Sequence, residues 1–309
     1  MIGRKWWTPW LWLSPSVVLL GVFLVYPTID TFRRSFLDER SEKFVGFDNY
    51  RFIIDNPQSL ISDTHAALLN NLLWLTLFTA VTVVLGLGIA VLASRVRYEA
   101  IAKSAVFVPM AISFVAASVI WRFMYEFNTD VGTVNATLTS LGGEPTRWLQ
   151  DTGAPQTWLT ERGPDTMPSP LQLNNFALIF VGVWMWTGFA VVVLSAGLKG
   201  ISTDLLDAAR ADGATEWQTF RRVILPILSP TVVVVATTLV IQALKKFDLV
   251  WVMTAGRFKT DVVATLFFKE AFVFRDFGVG AALAVVLLVW VVPIMLISIR
   301  RFQFQEEIR

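Results

Sequence analysis

Cysteine is absent from all 309 positions and histidine occurs once, at His65. Without thiols there is no disulfide, no thiolate metal site and no cysteine nucleophile. A single histidine at the edge of an apolar run offers no catalytic constellation. Charge is also scarce, at 16% of residues against about 25% in soluble domains. A phosphate loop of the form G-x-x-x-x-G-K-[ST] is missing, since Gly197 to Thr203, GLKGIST, only echoes it, so the chain cannot hydrolyse ATP alone. There is no HExxH, no G-x-S-x-G elbow and no carboxylate pair within an apolar run, which leaves an intramembrane enzyme as a remote alternative. A net charge of +2, with no basic tract interleaved with aromatics, gives no sign of nucleic acid binding.

What the chain has in abundance is apolar surface. Hydrophobic residues make up 55%, with 13 Trp and 24 Phe, and mean hydropathy is +0.59. This composition reads as an all-α integral membrane protein. About 20 apolar residues cross a bilayer core as a helix, and six such runs are present: Trp10 to Tyr26, Asn70 to Ala93, Ser104 to Met124, Asn174 to Leu198, Pro230 to Met253 and Phe277 to Ile299. No small-residue cleavage site follows the first, so it reads as a retained span. Arg4, Lys5, Arg95, Arg97, Lys103, Lys199, Arg210, Arg221, Arg222, Arg300 and Arg301 fall on one side of a six-span topology. The positive-inside rule makes that side the cytoplasm, with both termini there. Lys245, Lys246, Arg257, Lys259, Lys269 and Arg275 are the exception, on the outer side. The second, fourth and sixth runs hold no ionisable side chain, which argues against coupling to a proton or sodium gradient.

Between the fourth and fifth runs lies a polar, helix-prone stretch, Asp207 to Pro230, DAARADGATEWQTFRRVILPILSP. Small residues at Ala208, Ala209 and Ala211 permit close approach, and Gly213 can take positive φ and end one short helix so that another starts at a new angle. Trp217 and Phe220, three apart, form an apolar knob on one helical face, while Asp207 and Glu216 supply carboxylates. The spacing Asp207-Ala208-Ala209, Asp212-Gly213-Ala214, Phe220, Leu225-Pro226, Pro230 resembles the coupling loop of ABC importer permeases; the family usually has Glu where this chain has Asp207. The resemblance runs from about Asn70 to the C-terminus, and KFDLVWVMTAGRFKT from Lys246 is similar to carbohydrate permeases, in particular those handling α-glucosides. It implies an ABC type I importer permease fold at the inner membrane of a prokaryotic cell, with residues 1–69 as first span and outer loop, 70–299 as the transmembrane domain with its coupling loop at 199–229, and 300–309 as a tail. It further implies no cofactor on this chain, a second homologous permease, an ABC ATPase pair that binds ATP and Mg, and an external solute-binding protein that delivers sugar. Other solutes stay open: an amino acid, a polyamine or a phosphorylated polyol.

Two places are candidates for a substrate path. In the fourth run Trp184, Trp186 and Gly188 sit within WMWTGF, where aromatic faces can stack on sugar rings and indole N–H groups can donate to hydroxyls; an aromatic packing layer accounts for them equally. In the fifth run Gln242, Lys245, Lys246, Phe247 and Asp248 either face a polar cavity or follow a helix that ends at Leu244 with its charges in headgroups or water. Three further features carry alternatives. Phe47-Asp48-Asn49-Tyr50 resembles a short motif of sugar permeases. Asn135-Ala136-Thr137 matches a glycosylation acceptor by chance. The loop Gly142 to Pro170 is either a contact surface or a connector.

Overall fold

The computed structural model describes residues 7–55, 64–94, 96–150 and 171–306, which are helical with a single isolated β-bridge, Leu37 with Phe44. In chain order the helices are α1 (Thr8–Arg34), α2 (Asp48–Asp55), α3 (Thr64–Ala93), α4 (Glu99–Ala111), α5 (Phe114–Met124), α6 (Thr133–Ser140), α7 (Leu173–Lys199), α8 (Thr203–Ala211), α9 (Glu216–Leu244), α10 (Phe247–Thr254), α11 (Val263–Phe268), which continues as a π-helical Lys269–Phe274, and α12 (Phe277–Glu306). Among the described residues four helices, α1, α3, α7 and α9, are long and apolar enough to cross a membrane, and the bent pair α4 and α5 makes a fifth. The sixth expected span is α12, whose apolar stretch is Phe277–Trp290. Arg4, Lys5, Arg95 and positions 151–170 of the outer loop lie outside the described residues.

Helix α7 is the hub, with 72% of its most apolar stretch buried. In a bilayer, small residues bring helix backbones close, and α7 uses one against each neighbour. Gly182 faces the Trp74 ring of α3, Gly188 meets the backbone of Val106 and Phe107 in α4, and Gly197 lies under Leu228 and Thr231 of α9. Lower on α3, Gly86 abuts Ala190. At the other extreme α1 buries nothing: Thr8–Leu20 has no buried residue, and the helix meets the bundle chiefly through Tyr26–Arg34, which touches α12.

Two expected spans are corrected. Ser104 to Met124 is not one helix but two, bent by 97°. Pro109 lacks an N–H and the chain tightens into a 3₁₀ turn at Val108–Ala111, after which Ile112 and Ser113 are extended, both with ψ near 139°. The fifth helix starts at Glu216 rather than Pro230, because a π turn at Phe220–Ile224 carries it past Pro226; it ends at Leu244, and Lys245 and Lys246 break it before α10.

The segment Phe47-Asp48-Asn49-Tyr50 opens α2 and folds it onto α12. Buried Asn49 donates through Nδ2 to the carbonyls of Ser35 (2.9 Å) and Leu37 (2.7 Å), and Tyr50 donates to the Ser35 hydroxyl. Gly278 of α12 leaves room for that Leu37 carbonyl. Asn135 is fully buried: its Nδ2 donates to the carbonyls of Glu126 and Thr146, and its Oδ1 accepts from Thr146 N and Trp148 Nε1. It is a staple for its loop, in keeping with a chance match to the glycosylation pattern.

Candidate functional site

The segment expected to dock on an ATPase, Asp207 to Phe220, is a helix, an elbow and a second helix. Ser202 caps α8 by accepting from Asp204 N, and Thr215 and Gln218 form a capping box that starts α9. Between them Gly213 takes φ +77°, with Gly213 N donating to Arg210 O and Ala214 N to Ala209 O. This is the left-handed helix end that glycine makes accessible. No residue of α8 is buried: Asp207, Ala208, Asp212 and Gly213 are exposed, and Ala209 and Ala214 are half-buried. Trp217 is 67% exposed and stacks on Phe220 at 5.6 Å. Asp207 and Glu216 both reach Arg210, at 2.9 and 3.6 Å, so one guanidinium ties the two helices across the elbow. Nearby, Glu99 of α4 takes Lys103 and Lys199, fastening α4 to the end of α7.

Deep in the bundle, Lys246 is 5% exposed. Its Nζ lies 4.5 Å from the Phe78 centroid, 5.6 Å from Trp74 and Trp186, and 5.7 Å from Phe114, all within cation–π range. Apart from Trp186 in the regular helix α7, the members of this cage come from places where regular helix fails. Trp74 and Phe78 bound the π turn Trp74–Phe78 in α3, Phe114 opens α5 after its bend, and Lys246 sits in the α9 to α10 break. Irregular backbone at membrane depth is tolerated where it is buried in protein or lines a cavity. The indole N–H groups of Trp74 and Trp186 are buried without a hydrogen-bond partner among the described residues.

The other candidates disperse around this point. Trp184 packs edge-on against Trp121 at 5.5 Å, and Gly188 serves the α4 contact. Gln242 is half-buried, Lys245 and Asp248 are exposed, and Phe247 stacks on Trp251 at 5.6 Å. Of the sequence candidates, the structure thus brings Trp186 and Lys246 together; its other cage walls, Trp74, Phe78 and Phe114, carry no motif and are recognisable only by contact.

Sequence reasoning also missed a polar clamp at the end opposite the docking segment. Asn70 donates to the carbonyls of Lys259 and Asp261 (both 2.8 Å), Asn174 to Phe258 O (2.7 Å), and Asn175 to Asn70 Oδ1 (3.0 Å), while Asn71 Oδ1 accepts from Val263 N. The clamp fixes a loop in which Ala255, Gly256, Phe258 and Lys259 all have positive φ. Beside it Lys269 binds Asp261 through both carboxylate oxygens, at 2.8 and 2.7 Å. Burial pushes the Asp261 carboxyl above its ordinary value, opposed by Lys269 and Thr265. Two of the six exceptional outer lysines and arginines are therefore accounted for, Lys246 by its rings and Lys269 by Asp261. The available signal was the doubled Asn70-Asn71 and Asn174-Asn175 at the starts of two apolar runs.

The family described as "Binding-protein-dependent transport system inner membrane component" matches residues 82–305, more than half of the chain. The chain belongs to this family. The permease is 47% identical over 303 residues to the osmoprotective compounds uptake permease protein GgtC of Synechocystis sp., covering 97% of this chain and 100% of the relative. It is 40% identical over 299 residues to the alpha-glucoside transport system permease protein AglF of Rhizobium meliloti, covering 94% and 81%. Its fold matches the crystal structure of a bacterial ABC transporter involved in the import of the acidic polysaccharide alginate, with TM-score 0.75 and 22% identity over 95% of this chain and 96% of that one. The permease is a transport subunit of the inner membrane, not an enzyme.

Proposed function

We propose that this permease forms half of the translocation path of an ATP-driven carbohydrate importer, with an oligosaccharide or α-glucoside as cargo, and that Asp207–Phe220 is its socket on the ATPase. The observation that carries the reading is the docking segment itself: a capped, cross-braced helix–elbow–helix whose apolar knob, Trp217, lies uncovered. A shaped surface with nothing on it fits the groove of a partner. The partners proposed are a second homologous permease, two ATPase copies that bind ATP and Mg, and a solute-binding protein on the opposite side. The unburied face of α1 supports the second permease, with membrane lipid covering what remains. On this reading the docking segment and both termini are cytoplasmic. The cargo class rests on the named relatives.

In mechanism, closure of the ATPase dimer draws the docking segments together and tilts the helices braced on α7 from inward- to outward-facing. Inverting a 1:99 preference takes about 5.5 kcal/mol, which nucleotide delivers only through a stiff segment. The Gly213 turn and the Thr215–Gln218 capping box set the elbow, and the exposed Arg210 pairs with Asp207 and Glu216 add about 0–1 kcal/mol each. Mild-detergent purification through a tag on this chain tests the assembly: recovery of a second permease and two ATPase copies is expected. A stable, monodisperse chain alone would overturn it. Uptake and ligand-stimulated ATP hydrolysis across α-glucosides, amino acids and polyamines then separate the cargo classes.

A further inference from the structure

A cavity of about 350 Å³ opens at the end opposite the docking segment, between the end of α5, the loop after it and the far end of α10. Three guanidinium groups line it: Arg122 from α5, Arg147 from the loop and Arg257 from the positive-φ turn. None has an ion-pair partner among the described residues, and Glu126, the one carboxylate in the lining, accepts the Phe127 N–H at 3.1 Å and leaves the positive charges in excess. Tyr125, Phe127 and Trp251 add aromatic surface to the lining, and the Arg147 guanidinium lies 5.1 Å from the Phe127 ring centroid.

Both walls are held from behind by buried asparagines. Asn174 and Asn70 grip the carbonyls of Phe258 and Lys259 next to Arg257, and Asn135 grips Thr146 and Trp148 on either side of Arg147. The backbone that carries Arg147 and Arg257 is thus held in place, and with Arg122 at the end of α5 three like charges surround a preformed concavity of ligand size. Guanidinium groups pair with planar oxyanions through parallel N–H donors, while aromatic surface receives the apolar faces of sugar rings.

We propose that this cavity is a subsite for an anionic saccharide, which places a carboxylate or ester oxyanion among Arg122, Arg147 and Arg257 with its ring on the aromatic surface. The ligand class rests on the carbohydrate-import reading; the test below scores occupancy of the cavity, so failure here leaves uptake and ATPase coupling to be judged separately.

Because the chain has no cysteine, Gln150→Cys places a unique thiol of this subunit in the lining. In the complete transporter in nanodiscs, its alkylation by N-ethylmaleimide is timed with glucuronate and with glucose, which differ by one carboxylate. At ten times its dissociation constant glucuronate slows alkylation about tenfold, because the free-site fraction falls as 1/(1 + [L]/Kd); glucose leaves the rate unchanged. Arg122→Gln or Arg257→Gln abolishes the protection without altering the melting temperature, since both side chains are exposed. Equal behaviour of the two sugars overturns the proposal. So does protection by inorganic sulfate as strong as that by glucuronate, which reduces the site to an anion hole, and so does protection by poly-glutamate alone, which makes it a socket for an acidic protein.

Discussion

Replacing Gly213 isolates the docking segment from the rest of the molecule. Its φ is +77° and an added Cβ meets no atom within 4 Å, so Gly213→Ala introduces no clash. The cost is conformational: a left-handed residue with a Cβ is disfavoured by about 1–2 kcal/mol. At 1.4 kcal/mol per factor of ten, the elbow geometry loses about 5- to 30-fold in population relative to neighbouring backbone states. Nothing buried depends on it, because α8 buries no residue and the first turn of α9 buries only Thr219. The membrane bundle therefore keeps its melting temperature while coupled ATP hydrolysis and uptake in proteoliposomes fall by a comparable factor. Gly213→Asn falls less, since asparagine visits the left-handed region more readily, and Gly213→Asp carries an added charge into the docking surface. Full uptake by Gly213→Ala would refute the reasoning, as would Asn and Ala variants that lose activity equally.

Four other substitutions probe the bundle. Lys246→Met removes a buried ammonium that has aromatic rings but no hydrogen-bonded acceptor among the described residues; because burying a charge costs several kcal/mol, the variant melts at the same temperature or higher while apparent affinity for cargo changes, and a clear fall in melting temperature would show that the cation–π contacts outweigh desolvation. Asn70→Leu strips the bonds to Lys259 O and Asp261 O and leaves buried carbonyls unmet, at about 1–3 kcal/mol each, so a lower melting temperature and faster proteolysis near position 258 are expected, and an unchanged protease pattern counts against the clamp. Gly188→Ala and Gly88→Ala form a matched pair: the first drives a methyl to within 2.6 Å of Val106 O, the second meets nothing within 4 Å. Overpacking costs about 1–3 kcal/mol whereas alanine in open helix gains up to about 1 kcal/mol, so opposite shifts in melting temperature are expected, and shifts of the same sign would show that the α4–α7 contact is not tight.

The docking segment was legible because its instructions are local. Gly213, the Thr215 to Gln218 cap and the exposed Trp217 follow from neighbours in sequence. The run Asn174 to Leu198 was equally legible, since an uninterrupted apolar helix reports its own length. The bend at Ile112 was not: Ser104 to Met124 is apolar apart from three serines and Arg122, and hydropathy cannot distinguish a straight span from two halves at 97°. Nor could it show that Lys246 turns inward while Lys245 and Asp248 stay exposed, a choice made by rings on three other helices. The asparagine clamp joins residues about 190 apart in the chain, beyond the reach of any local pattern.

The π turn in α3 solves a problem of phase. The buried row Asn70, Trp74, Phe78, Thr82, Gly86, Ala90 advances by four residues at every step. On a helix of 3.6 residues per turn each step overshoots by about 40°, or about 200° from first to last, enough to carry the row from one flank to the opposite one. Widening the helix at Trp74–Phe78 takes up part of that overshoot, so the same ridge can grip the clamped loop at one end and α7 at the other. The turn works as a gear offset in a rigid shaft: removing one residue from it would rotate the two ends out of mesh without shortening the apolar run below membrane thickness.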